Sequence, residues 1–220
     1  KSGSSNQIAC PLGTFQPSPG QSECLLSDYG FFVSKIGQNA QTECSPGSFQ
    51  PVRGQSECLP SNPGFFVSKN ASIAEQPCPL GSFSNSSGNI DSLSCLISKP
   101  GHFVDSPGSS FQTECPEGTF NPNHGSISQI SCELSQPGYY SLAGSSAPQP
   151  CPPGTYQSFS GQSFCEITEK GSFTTFGASF ATPCPTNHST PGEGSSSESD
   201  CVSSPGYYQG EDSPEPCAPG

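Results

Sequence analysis

The sequence predicts a small disulfide-rich β protein: an elongated tandem array of short β-hairpin and turn modules, solenoid-like and rod-shaped, with little or no helix. Three observations predict it. Cysteine recurs along the chain with alternating short and long spacings. Gly and Pro, 25 of each in 220 residues, punctuate every segment. Leu, Ile, Val and Phe make up only about a sixth of a chain whose net charge is −12. So low an apolar fraction beside so high a charge falls where disorder is expected, unless something other than a core holds the chain. Ordering each residue costs roughly 1–2 kcal/mol of backbone entropy. The 13 cysteines are the candidate fastening, since a bridge closing a loop of about 15 residues contributes roughly 3 kcal/mol on a chain-entropy argument.

The repeat comes first, because a missed period miscalls the whole fold. Cysteine spacings run 14, 20, 14, 20, 17, 20, 17, 19, 14, 19, 17 and 16, a period of 33–37 residues. Residues 10–43, 44–77, 78–114, 115–150, 151–183 and 184–216 are six repeats. Residues 1–9 are the tail of a preceding repeat, since GSSNQIAC aligns without gaps on GSSFQTEC at Gly108, and 217–220 begin a further one. Both ends cut through a repeat and neither resembles a capping unit. The segment is therefore expected to be a window onto a longer array.

Each repeat has two halves. The short half opens Cys-x-x-Gly and sets an aromatic five residues after the cysteine: Phe15, Phe49, Phe83, Phe120 and Tyr156. Three copies close on Gly-Gln-Ser-x-Cys. The long half carries Gly followed by aromatics, in full at Gly30-Phe31-Phe32, Gly64-Phe65-Phe66 and Gly138-Tyr139-Tyr140. Gly101-His102-Phe103 and Gly171-Ser172-Phe173 are degraded forms, and Gly206-Tyr207-Tyr208 comes one residue early. Each half reads as a small hairpin or pair of turns with one ring lying across a disulfide. Gly13, Gly47, Gly81, Gly118 and Gly154 are expected at positive φ in tight turns. A buried ring covers roughly 150–250 Å², so one ring per half is expected to form most of the core.

Twelve cysteines are expected in disulfides: Cys10, Cys24, Cys44, Cys58, Cys78, Cys95, Cys115, Cys132, Cys151, Cys165, Cys184 and Cys201. Pairing across short halves leaves Cys217 without a partner in the segment. Pairing across long halves begins with Cys24–Cys44 and leaves Cys10 over. Spacing alone leaves both open. The short-half scheme is favoured because its 14-residue copies are the best preserved internally.

The phrase CPPGTYQSFSGQSFC at 151–165, repeated from Cys10 onward, resembles the ephrin-receptor-like cysteine-rich repeats, which are related in style to tumour-necrosis-factor-receptor-like modules. It is also similar to arrays in very large predicted surface proteins of microbes. The resemblance implies pairing across the short loop and an extracellular stalk of disulfide-stapled β modules. The family's usual phrase places Cys-x-x-Cys between units, and here one of those cysteines is absent at every junction. In the last unit PTNHS follows Cys184, lacking both the Gly and the aromatic, and the stretch to Cys201 reads as a flexible glycosylated loop.

Disulfide frameworks persist in oxidising compartments, so an extracellular or cell-surface location is expected. Asn70, Asn85 and Asn187 head N-x-S sequons and are candidate N-glycosylation sites. No apolar run approaches the roughly 20 residues of a membrane span. The acidic excess argues against nucleic acid.

No catalytic residue, cofactor site or metal site is assigned, and the chain is not expected to be an enzyme. The sequence holds no H-E-x-x-H, no glycine-rich phosphate loop and no G-x-S-x-G. His102, His124 and His188 read as solvated turn residues at unrelated places in their repeats. Ca²⁺ is the one ion the carboxylates could attract, with Glu198/Asp200 and Glu211/Asp212 nearest to clusters. Lys35 and Lys69 recur in Phe-Phe-Val-Ser-Lys, either through duplication or as a periodic contact stripe.

The functional expectation is a structural segment of a longer extracellular repeat protein, a disulfide-stapled rod or filament at the cell surface. Self-association with neighbouring chains or repeats is expected through open hairpin edges, with surface proteins or glycans as further partners. The alternative is the ligand-binding or adhesive ectodomain stalk of a receptor or adhesin, which would show as a localised departure from the repeat.

Overall fold

The computed structural model describes residues 8–209 and 214–217. Of the expected repeat remnants 1–9 and 217–220, residues 1–7 and 218–220 lie outside the described residues, as do Glu211 and Asp212. Every sheet among the described residues has two strands, twelve sheets in all, each antiparallel. The chain is a small disulfide-rich β-hairpin array. The only helical elements among the described residues are three single 3₁₀ turns.

One hairpin starts at each short-half cysteine and another at the third residue after that half closes. The first pairs Thr14–Phe15 with Leu25–Leu26, and the second pairs Phe31–Phe32 with Thr42–Glu43. The strands are two residues long, and an isolated hairpin of that size is marginal in water. Backbone bonds between successive hairpins supply the missing support. In the unit formed by Lys1–Ser98 and Val104–Gln112, Gly13, Gly30, Gly47, Gly64 and Gly81 donate their N–H groups to Val33, Gln50, Val67, Ser84 and Val104 at 2.7–2.9 Å. A second ladder runs three residues on, from Gln16, Val33, Gln50, Val67 and Ser84 to Gln38, Gln55, Ser72, Asn89 and Ser109. A third returns from Gly37, Gly54, Ala71, Gly88 and Gly108 to the carbonyls of Cys10, Ser27, Cys44, Ser61 and Cys78.

The unit formed by Lys99–Phe103 and Thr113–Gly220 repeats the scheme. Its first ladder joins Gly101, Gly118, Gly138 and Gly154 to Asn121, Ser141, Gln157 and Thr174. Its returning ladder joins Gly144, Gly161, Gly177 and Gly194 to Cys115, Ser135, Cys151 and Thr168. Main-chain atoms make all these bonds, so hairpins of different sequence join in the same way.

The core differs from the one expected. The rings are mostly half-buried, and among the described aromatics only Phe66 and Phe103 are buried. The fully buried positions are small or polar. One column, at the first residue of each hairpin, alternates Cys44, Cys78, Cys115 and Cys151 with Ser27, Ser61, Ser98, Ser135 and Thr168. The other, six residues on, holds Val33, Val67, Val104, Ser141 and Thr174 in long halves and Gln50, Ser84, Asn121, Gln157 and Thr190 in short ones. Buried polar groups are tolerated where they are hydrogen-bonded, and Ser141 Oγ, which has no hydrogen-bond partner, is the exception among the described side chains. Gln157 donates to the Phe164 carbonyl at 2.9 Å and accepts from the Phe159 N–H at 3.0 Å, tying the loop from inside. Gln50 does the same with Glu57 and Val52.

The 14- and 17-residue spacings also resolve physically. Each 17-residue loop carries a 3₁₀ turn just before its second cysteine: Ser92–Ser94, Gln129–Ser131 and Glu198–Asp200. Asp91, Ser128 and Ser197 cap these turns through side-chain oxygens, the usual role of Asp and Ser at such positions. Three extra residues are thus absorbed in a single turn, and the hairpin below is unchanged.

Candidate functional site

Six disulfides close the short halves: Cys10–Cys24, Cys44–Cys58, Cys78–Cys95, Cys115–Cys132, Cys151–Cys165 and Cys184–Cys201. Their Cα atoms lie 5.6–5.8 Å apart, inside the range a disulfide spans. Cys217 is exposed, and its thiol is free. Its N–H donates to the Gly206 carbonyl as that of Cys184 does to Gly171.

The absent junction cysteine has a structural answer. Every junction reads Cys-x-x-Ser or Cys-x-x-Thr: Cys24 to Ser27, Cys58 to Ser61, Cys95 to Ser98, Cys132 to Ser135, Cys165 to Thr168 and Cys201 to Ser204. The first five hydroxyl residues are fully buried. Ser27 Oγ accepts from the Gln55 N–H at 3.1 Å. Ser135 Oγ is 3.0 Å from the Gly118 carbonyl, to which it donates. Thr168 and Thr174 hydroxyls meet at 2.7 Å.

At the other end of the long half, too, a different side chain stands where the short half has its closing cysteine. The residue that corresponds in the long half to Cys24 is Gln41, followed by Glu75, Gln112, Pro148 and Ala181. Gln41 accepts from the Asp28 N–H at 2.7 Å and donates to Asp28 Oδ2 at 3.2 Å. Glu75 accepts from the Asn62 N–H at 2.7 Å and from Asn62 Nδ2 at 2.9 Å. These side chains close the base of a long half where a disulfide closes a short one. Pro148 can make no such bond, and a cavity of about 340 Å³ opens beside it, lined by Phe120, Glu133, Leu134, Gln136, Tyr139 and Pro148.

Two glycine columns position these elements, one at the fourth residue of each hairpin and one six or seven further on, all at positive φ. At Gly47 a side-chain carbon would stand 2.6 Å from the Gly88 carbonyl oxygen, and at Gly64 it would overlap Gly108. The close approach, as well as the φ, requires glycine there. Only the first column was expected. The second shows in sequence as the Gly of Gly-Gln-Ser at Gly20, Gly54 and Gly161 and is otherwise hidden by varied neighbours. Among the described residues two occupy these columns without being glycine: Ala71 at φ 50 and Asn187 at φ 63. Asn187 corrects the reading of 184–201 as a flexible loop. It takes the turn glycine's place, since Asn tolerates that region, and His188–Ser189 pairs with Val202–Ser203 as in other halves.

The histidines also need correction. His102 and His188 lie on strands at one register position, each with Nδ1 3.1 Å from the carbonyl two residues back, Pro100 and Thr186. His102 also faces Glu114 across the sheet at 3.9 Å. His124 is exposed in a bend. Asp200 accepts from the Ser196 and Ser197 N–H groups, so it caps a turn. Among the described residues no group of three or more His, Cys, Asp or Glu side chains could hold a metal ion. No helix among them is long and apolar enough to cross a membrane.

Asn70, Asn85 and Asn187 are all exposed, and Asn70 Nδ2 donates to Glu43 at 2.6 Å. Lys35 and Lys69 are exposed at equivalent positions of their hairpins. Tyr156 ionises above the ordinary phenol range, because it donates to the Glu166 carboxylate opposite, with burial and the charges of Glu166 and Glu169 acting the same way. Compared with protein-family models and with curated proteins, the chain matches none.

Proposed function

We propose that this chain is a structural segment of an extracellular repeat protein, working as a disulfide-stapled rod or filament at the cell surface. The observation that carries the reading is the backbone ladder. Within each unit, successive hairpins join mainly through main-chain atoms and positive-φ turns, so repeats can be added by copying without redesigning a side-chain interface. Six disulfides support an oxidising compartment. The resemblance to ephrin-receptor-like repeats supports the same assignment. Exposed Asn70, Asn85 and Asn187 are suited to carry glycans, and short two-stranded sheets suit self-association through edge pairing.

One observation favours the alternative, an adhesive or ligand-binding ectodomain. Phe159, Phe164, Phe176 and Phe180 are each 57–72% exposed, all within residues 151–183, where the earlier repeats have few such rings. Electron microscopy of the native material under non-reducing conditions separates the two. Filaments with an axial period matching a whole number of repeats support the structural polymer. Separate stalks ending in a globular head overturn the filament and favour the adhesive reading.

A further inference from the structure

We infer that the chain is a tether with a built-in length reserve, in which the long halves open under tension while the short halves stay closed. The inference deepens the structural reading above and rests on it for its biological setting, but the property belongs to the isolated chain.

A pulling force on the chain takes one path along the backbone. Arriving at Cys10, tension crosses directly to Cys24 through the disulfide, and the 14-residue loop between them carries no load. It then runs along the backbone from Cys24 to Cys44, where the next bridge takes it to Cys58. Every short half is shielded in this way, including the three 17-residue loops with their 3₁₀ turns. Every long half lies wholly in the force path.

Nothing covalent closes those long halves. Each has two-residue strands, and at its base Gln41 on Asp28 or Glu75 on Asn62 takes the place of a disulfide. These bonds are exposed and open to water. In the hairpins beginning at Ser135 and Thr168 the equivalent residues are Pro148 and Ala181, which offer no side-chain bond at all. Load therefore falls on the weakly closed hairpins, while the closed loops between them keep half of the ladder partners preformed for rezipping. The alternation of bridged and unbridged halves, otherwise a mere loss of cysteines, becomes the working feature. Two bridges per repeat would leave almost no extensible segment, and no bridges would let the whole chain unravel.

The test is single-molecule stretching of the full 220-residue chain held by handles at its ends. At about 3.4 Å per extended residue, the unshielded segments between Cys10 and Cys201 give a limited extension. Reduction frees the loops, adding about 42 Å for each 14-residue loop and about 52 Å for each 17-residue loop. With the tails on either side of the bridges counted, the maximum extension of the full chain should rise about 1.6-fold. The double variant S27C/Q41C places cysteines at the register and separation of Cys10–Cys24. Oxidised, it should lose about 42 Å of extension, and reduced it should match the parent. Equal extension of the parent before and after reduction would overturn the inference. So would a variant that forms its bridge, verified by mass, yet extends as far as the parent. Neither result touches the structural assignment, which the microscopy tests separately.

Discussion

The hairpin that starts at Cys10 and the one that starts at Ser27 have the same backbone and different fasteners. Both begin on a fully or nearly buried residue, turn on a positive-φ glycine and receive the same ladder bonds. The first is closed by a disulfide, the second by Gln41 on Asp28. Fold is thus specified by the glycine columns and the buried small residues, and the disulfide decides how firmly a given half is closed. A hydroxyl replaces a thiol at the buried end because it is small and can reach a carbonyl or N–H in the neighbouring hairpin. A longer polar side chain replaces the thiol at the exposed end because it must reach back across the base.

Substitutions should rank along that division. The largest effect belongs to a ladder glycine, because both halves depend on it. Gly64→Ala combines a strained φ with overlap on Gly108 backbone and should cost about 3 kcal/mol or more. Hydrogen exchange at the Gly64 and Ser84 amides would read it as lost protection. Next comes removal of one bridge. The double variant C44A/C58A frees a 14-residue loop and should cost about 3 kcal/mol locally, seen as faster exchange and new proteolytic cleavage within 44–58, with flanking hairpins retained.

Breaking a polar closure should cost less. Glu75→Ala removes two exposed hydrogen bonds to Asn62, so about 1 kcal/mol is expected, confined to the hairpin beginning at Ser61. A loss as large as that of a disulfide would erase the distinction drawn between the two halves. The smallest effect has the opposite sign. Ala71 occupies a second-column position at φ 50, so Ala71→Gly should relieve strain and slow exchange at that amide by an amount worth up to about 1 kcal/mol, partly offset by the entropy glycine adds to the unfolded chain.

The comparison also shows what was legible in the sequence. Cysteine spacing announced the period, and Cys-x-x-Gly announced the first glycine column, because both are fixed in position. The fully buried columns were not legible, since Ser27, Thr168 and Gln157 look like surface residues in any reading that counts apolar groups. They are buried because each has a partner at its register, which spacing alone does not reveal. The 3₁₀ inserts left a faint trace, a Ser or Asp four residues before the second cysteine at Asp91, Ser128 and Ser197. The polar closures left almost none, because Gln41 and Glu75 differ from each other and Pro148 and Ala181 do not share their chemistry. Asn187 hid a turn that glycine marks elsewhere.

The central claim is that covalent and non-covalent closures alternate along the chain. Proteolytic mapping of the oxidised protein by mass spectrometry, without reduction and with thiols blocked during digestion, tests it directly. Linked peptides joining Cys10 to Cys24 and Cys44 to Cys58, and so on to Cys184 with Cys201, are expected, with Cys217 recovered alkylated. Peptides joining Cys24 to Cys44 and Cys58 to Cys78, with Cys10 alkylated, would contradict it, because they would place the bridges on the halves that the account leaves free to open.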